Sequence, residues 1–277
     1  MLEEKLQKQL IQTGRDFMKP YRADDPNRGL FQSDQQLRKP QPPLVKEAMT
    51  EESIELPRNF EDLEKKDDLL ALIRDRRSTR VYTQEDMSLL QLSFLLWATQ
   101  GVKGRRGKSY ATLRTVPSGG ARHEFETYLM VRKVEGLQPG AYHYLPMEHR
   151  LEFLRSFDEL DQTITATVSG QSWAAKANVV FYWSMVSYRA EWRYGIYSHR
   201  VALIDSGHVA QNLYLACTGI GLGTCAIASL SHETCCETFG LDGDDEFVFY
   251  CAPVGTAREE DMAAEQAFYS FVEEEGL

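Results

Sequence analysis

The chain has 277 residues, enough for one large domain or two small ones around a substantial core. Its 41 acidic side chains against 31 basic ones leave a net charge of −10, which argues against a nucleic-acid partner and against anionic membrane surfaces. No apolar run is long enough to span a bilayer, and Met1-Leu2-Glu3-Glu4-Lys5 is charged where a signal peptide needs an apolar stretch.

Cys217, Cys225, Cys235, Cys236 and Cys251 are odd in number and form no C-x-x-C pair, so they spell neither a disulfide framework nor a zinc site. The expectation is a reduced, cytoplasmic protein with no metal.

Residues 2–17 place Leu2, Leu6, Leu10, Ile11 and Phe17 at near-helical spacing. From 19 to 57 the chain is polar and holds Pro20, Pro26, Pro40, Pro42, Pro43 and Pro57, a density that opposes helix and central strand. Residues 1–66 therefore read as a helix followed by an extended arm. Leu30, Phe31, Leu37, Leu44, Ile54 and Leu56 give that arm the means to lie on another surface. Residues 67–277 read as the folded domain.

Within 68–75, Leu69, Leu70, Leu72 and Ile73 suggest one buried helical face. The next stretch, Arg76-Arg77-Ser78-Thr79-Arg80, sets three guanidiniums and a hydroxyl within five residues. Planar, permanently charged donor forks suit a compact dianion such as a phosphate. The same residues also suit a solvated helix end.

Asp86 or Ser88 can cap a helix running to about Gln100, apolar over most of its circumference and ended by Gly101. Lys103-Gly104-Arg105-Arg106-Gly107-Lys108 reads as a basic loop, and Pro117-Ser118-Gly119-Gly120-Ala121 as a turn before a buried strand at 125–131. A hairpin over 141–154 would turn Tyr142, Tyr144, Leu151 and Phe153 inward. A weaker helix at 157–169 precedes a strong apolar strand at 177–186 and an aromatic and basic segment at 188–197.

The longest helix spans 199–220. Its Asp205, His208 and Asn212 share one side, with His208 read as a core histidine partnered by Asp205. Strands at 224–230 and 246–254 follow. No strict βαβ rhythm appears, so the fold class is α+β with a mixed or mostly antiparallel sheet flanked by helices. Gly219-x-Gly221-x-Gly223 lies between helix and strand, the reverse of a dinucleotide-binding fingerprint.

The order of motifs is more specific than any one of them. The basic stretch, then Pro117-Ser118-Gly119-Gly120-Ala121, Gly207-His208-x-x-Gln211-Asn212-Leu213, Gly221-Leu222-Gly223, and Val254-Gly255 with Arg258 together resemble the FMN-dependent nitroreductase superfamily. Arg114-Thr115-Val116-Pro117-Ser118, residues 136–142 and Tyr194-Gly195 resemble its SagB-type, thiazole/oxazole-forming dehydrogenases. The match covers about 68–260 and leaves the arm outside.

The resemblance implies a nitroreductase-like dimer in which Arg76, Arg77, Ser78, Arg80 and Arg258 hold the FMN phosphate and ribityl chain. Pro117, Ser118, Gly119 and Ala121 would come from the partner subunit and line the isoalloxazine ring. Ala226, Ile227 and Ala228 would run along the flavin, one backbone N–H facing N5. A hydride would pass between NAD(P)H or an organic donor and a small acceptor in a ping-pong cycle, with Arg193 and Tyr194 handling the substrate. Azoline-oxidising members carry a Lys where this chain has Arg193. Arginine does not give up its proton, which argues against azoline oxidation. The other reading the resemblance supports is a flavin-retaining accessory subunit of a peptide-modifying complex.

Overall fold

In the computed structural model the described residues are 2–19, 29, 31–83, 85–257, 267, 270 and 274–276. The chain opens with α1 (Leu2–Met18), carries a two-residue strand β1 (Ile54–Glu55) in the arm, and enters α2 (Leu69–Asp75) and α3 (Leu89–Gln100). A ribbon of β2 (Val102–Arg106) and β3 (Ala111–Arg114) precedes β4 (Phe125–Val131), β5 (Gly140–Leu145) and β6 (Arg150–Arg155). Then come α4 (Leu160–Thr167), β7 (Val179–Val186), α5 (Ser187–Tyr194), α6 (Ser198–Gly219), β8 (Leu222–Thr224), α7 (His232–Phe239) and β9 (Glu246–Thr256).

Seven strands pair in the order β1-β6-β5-β4-β7-β9-β8, every pair antiparallel. Next to the central β4, and flanked by β9, lies the most β-branched and aromatic stretch, β7, where both faces need cover. Alternation sorts its side chains: Phe181 and Trp183 join α3 and α6 on one face. Val180 and Tyr182 meet Ile164 and Phe239 on the other. The result is a three-layer α+β fold. Ser88 starts α3 with a reciprocal capping box to Gln91. Tyr142, Tyr144 and Leu151 of the hairpin are buried in the first layer as the alternation requires.

Toward β6 the second face turns polar. His143 sits fully buried between Glu152 (Nδ1 to Oε1, 2.7 Å) and Glu126 (Nε2 to Oε2, 3.3 Å), and Arg189 reaches Glu126 Oε1 at 2.5 Å. Burial works against the imidazolium, but the two carboxylates outweigh it and raise the His143 pKa. Such a cluster needs every lone pair satisfied, and the arm completes it. Lys46 N–H donates to Glu126 at 2.8 Å, and Met49 and Thr50 N–H both donate to Glu152 at 2.7 Å. Lys46 Nζ pairs with Glu246 at 2.6 Å and donates to Tyr128 OH at 2.8 Å. Further back, Gln35 N–H donates to Trp192 O at 2.7 Å and Trp192 Nε1–H to Lys39 O at 3.1 Å, fastening the arm to α5. Leu56 adds an apolar anchor in the first-face core, whereas Phe31 and Leu37 among the arm's apolar residues stay exposed.

Four expectations need correction. Leu69, Leu70 and Ile73 do not form a buried face: they are 62%, 72% and 58% exposed, because the short α2 offers only its Leu72 side to α6. The basic segment 103–108 is the β2 strand and the turn into β3, not a loop. The strand expected over 224–230 ends at Thr224 and returns only as an isolated bridge from Ile227 to Cys251. His208 is exposed, on the same stretch of α6 as the exposed Leu203 and Ile204.

Replacing Lys46 by Ala is expected to cost about 1.5–3 kcal/mol in urea unfolding, because it leaves Glu246 without its cation. A cost under about 0.5 kcal/mol, the range of an ordinary surface change, contradicts a structural role for the arm.

Candidate active site

Between α2 and α3 the backbone runs extended beside β8, fixed by Thr79 N–H donating to Thr224 O at 2.9 Å. The approach is close: a Cβ on Gly223 would fall 2.6 Å from Thr79 Cγ2. Along this segment Arg76 lays its guanidinium over the Tyr214 ring, 5.3 Å from the centroid, and Ser78 Oγ lies 3.2 Å from Tyr214 OH. That phenol oxygen also accepts the Ala226 N–H at 2.8 Å. Arg76, Arg77, Thr79, Tyr214 and Thr224 line a cavity of about 520 Å³. Arg80 turns away and sits over the Trp173 ring at 5.9 Å. Arg258 lies outside the described residues.

Residues 226–228 divide their backbone donors. Ala226 bonds Tyr214, and Ile227 exchanges both bonds with Cys251 at 2.8 and 3.0 Å. Ala228 is exposed, and its N–H makes no hydrogen bond among the described residues. The first cluster therefore offers cations and a hydroxyl, with an open backbone donor two residues beyond Ala226.

The second cluster is the loop at 117–123. Gly120, Ala121 and His123 all have positive φ (57°, 52° and 48°), which costs strain at the two non-glycine positions. Polar contacts hold it in place. Gly119 N–H donates to Asp205 Oδ2 at 2.7 Å, His123 N–H to Ser118 Oγ at 2.9 Å, and Ser118 Oγ to Glu124 at 3.4 Å. Arg122, stacked between the Tyr110 and Trp192 rings, donates to Gly120 O at 3.1 Å. His123 is buried, and burial together with nearby Arg114 pushes its pKa down to about 2, so it stays neutral.

Against this loop lie Arg193 and Tyr194. A Cβ on Gly120 would fall 2.4 Å from Arg193 Nε and 2.8 Å from Tyr194 OH, so a side chain there would displace the candidate pair and add strain at its positive φ. Arg193 donates to Tyr110 OH at 3.0 Å and holds that phenol below its ordinary pKa. Glu191, two residues before Arg193, faces His199 at 3.2 Å and forms no ion pair with Arg193 among the described residues.

The structure thus brings Arg76, Arg77 and Ser78 together with Ala226, and separately brings Pro117, Ser118, Gly119 and Ala121 together with Arg193 and Tyr194. Helix α6 carries a residue into each group, Tyr214 and Asp205, about 14 Å apart along its axis. The sequence reading missed Tyr214, Tyr110 and Glu124. Tyr214 lies two residues beyond the polar Gln211-Asn212 pair, one helical turn above Gln211, which was a usable signal. Tyr110 and Glu124 left none.

The nitroreductase family profile matches residues 73–256, and the chain belongs to that family. The Methanocaldococcus jannaschii protein MJ1384, a nitroreductase by name, is 32% identical over 203 residues, 73% of this chain and 95% of that one. A solved structure from Ralstonia eutropha JMP134 that carries the same name is 26% identical, covers 80% of this chain and 95% of its own, and superposes with a TM-score of 0.60. The Escherichia coli microcin B17-processing protein McbC is 28% identical over 135 residues, spanning 47% of this chain and 49% of that protein. Among the described residues no helix is long and apolar enough to cross a membrane.

Tyr214→Phe removes the acceptor of the Ala226 N–H and the partner of Ser78. A loss of about 1–3 kcal/mol in urea unfolding is expected. Unchanged stability contradicts the anchoring role given to this hydroxyl.

Proposed function

We propose that this nitroreductase-family chain is an FMN-dependent oxidoreductase of the SagB-type branch that works as a homodimer with NAD(P)H as donor. The observation that carries this reading is the pair of clusters held at separate points of α6, one suited to a phosphate and one to a flat ring. Arg76 and Arg77 supply charge-assisted donors around one cavity, Ser78 adds a neutral donor beside them on the Tyr214 hydroxyl, and Arg80 and Arg258 are assigned to the same phosphate from the family resemblance. The small residues Ala226 and Ala228 on either side of Ile227 permit a ring to approach the backbone, and Ala228 keeps an open N–H for a ring acceptor. Pro117, Ser118, Gly119 and Ala121 of the partner subunit close the other side. The exposed Leu69, Leu70, Ile73, Leu203 and Ile204 supply apolar surface for that second copy. Bound there, FMN supplies hydride transfer between the nicotinamide and a small organic acceptor in a ping-pong cycle.

The chain's own contribution is electrostatic. Arg193 is a fixed cation that stabilises negative charge developing on the acceptor, and Tyr194 offers a hydrogen bond or a proton. This favours reduction of electron-poor acceptors such as quinones or nitroaromatics. The likeness to McbC favours a second reading, an accessory subunit of a peptide-modifying complex that holds flavin without independent turnover. Rapid reduction of the bound flavin by NADH or NADPH separates the two.

Arg76→Ala should weaken FMN binding by about 1.5–3 kcal/mol, roughly 10- to 150-fold, when FMN is titrated into apo protein. Unchanged affinity contradicts the phosphate assignment. For Arg193, single-turnover reoxidation by a quinone should slow in Arg193→Ala and largely survive in Arg193→Lys, with flavin affinity little altered in both. Reoxidation of Arg193→Ala at the wild-type rate with every acceptor would remove the residue from the chemistry.

A further inference from the structure

Beneath the 117–123 loop lie two acids that the proposed chemistry does not use. Glu124 and Asp205 are 1% and 4% exposed, they bond adjacent residues of that loop, Ser118 and Gly119, and each carboxyl acts directly on the other. Asp205 spends Oδ2 on the Gly119 N–H, and its Oδ1 faces the exposed His208 at 3.8 Å. Glu124 accepts from Ser118 through Oε2, while its buried Oε1 has no hydrogen-bond partner among the described residues.

The neighbouring cations are committed elsewhere. Arg114 of β3 donates to Gln100, Thr112 and Leu44 O, and Arg122 to Gly120 O and Tyr110 O. Arg189 of α5 pairs with Glu126. His123 stays neutral. Arg114 and Arg122 act on Glu124 only at longer range, and His208, on α6 itself, lies 3.8 Å from Asp205 and makes no hydrogen bond to it. Two ionised carboxylates in contact in such a site repel, which one proton between them turns into a hydrogen bond.

We propose that Glu124 and Asp205 share one proton, and that this proton positions the 118–120 loop by keeping the Asp205 carboxylate on the Gly119 N–H. Glu124 is then a positioning residue that acts through Asp205. With the proton present, Glu124 Oε1 becomes a donor and its orphaned state ends. Once it is lost, Asp205 faces a second anion, the Gly119 bond is weakened, and the strained loop loosens. The consequence for cofactor binding rests on the reading of this loop as the partner's cover for the flavin. Burial first, and the Asp205 charge second, push the Glu124 carboxyl up to about 7. Burial raises Asp205 as well.

The sign follows from an acid whose folded pKa lies above its ordinary 4.5. Its contribution to stability is fully present below about pH 4.5 and is lost as pH rises through about 7. The full chain is compared with Glu124→Gln, which keeps the shape and a donor but cannot titrate. Urea midpoints and FMN affinity are both measured from about pH 5.5 to about pH 9.

Wild type should lose urea resistance and about tenfold in FMN affinity across that range, and Glu124→Gln should show neither loss at this site. If both proteins fall in parallel, or neither changes, the shared proton is wrong. A pH-linked stability difference with flat FMN affinity in wild type removes the positioning role. The same difference in a protein that binds no FMN at any pH leaves the proton latch standing and removes the cofactor reading. Should Glu124→Gln fail to fold, Asp205→Asn gives the same test: without the neighbouring anion the limb moves to lower pH, and an unmoved limb overturns the proposal.

Discussion

A single rigid spacer governs this molecule. Helix α6 packs against the sheet through Val209, Ala210, Leu213 and Cys217, and that buried stripe fixes where its polar residues emerge. Tyr214 emerges beside the Arg76 and Ser78 segment, Asp205 beneath the Gly119 loop. Because a helix does not stretch, the separation of the two clusters is set by residue count, not by loop conformation. Each cluster is half of something. One has cations, a hydroxyl and an open Ala228 N–H, while the other has a strained, glycine-bearing loop backed by Arg193 and Tyr194.

The second constraint is electrostatic. A chain of net charge −10 buries Glu126, Glu152 and Glu246 in its sheet, and each of these three has a cationic or imidazole partner. Arg189, which pairs with Glu126, sits on the same helix as Arg193, and the arm bonds Trp192 between them. Position along α5 is therefore set from both sides, by the buried cluster and by the arm. The arm lies outside the matched family region at 73–256 yet bonds Tyr188 and Trp192, in the helix turns that lead into the candidate catalytic pair. Gln41 adds to this by donating to Ser109 O and Tyr110 O, the latter in the residue whose hydroxyl receives Arg193.

What could be read from the sequence was what depends on local periodicity or on a short run of residues. The β5–β6 hairpin, β7 and the Ser88 cap of α3 fall where alternation and capping chemistry place them, and the order of basic and glycine-rich motifs was enough for the family. What could not be read depends on tertiary meeting. Glu124 looks like any acid until Asp205 arrives from a helix distant in sequence, and Tyr110 looks like a loop aromatic until Arg193 reaches it. The apolar face of α2 was read as core because hydrophobicity says that a surface will be covered, not whether its own chain covers it. The β2–β3 ribbon escaped because Gly104 and Gly107 mark turns, whereas here one bulges a strand and the other ends it.

The central claim is that one functional flavin site takes one cluster from each of two copies. The most direct measurement mixes two full-length variants, Arg76→Ala and Gly119→Val, each defective in a different cluster, by co-expression or by unfolding and refolding together. In a two-fold dimer with shared sites, random pairing makes half the dimers mixed, and each mixed dimer carries one intact site. The mixture should then hold roughly a quarter of the wild-type high-affinity flavin, where each variant alone holds almost none. If the mixture binds no more flavin than the two variants separately, both clusters serve a site within a single chain, and the account is wrong.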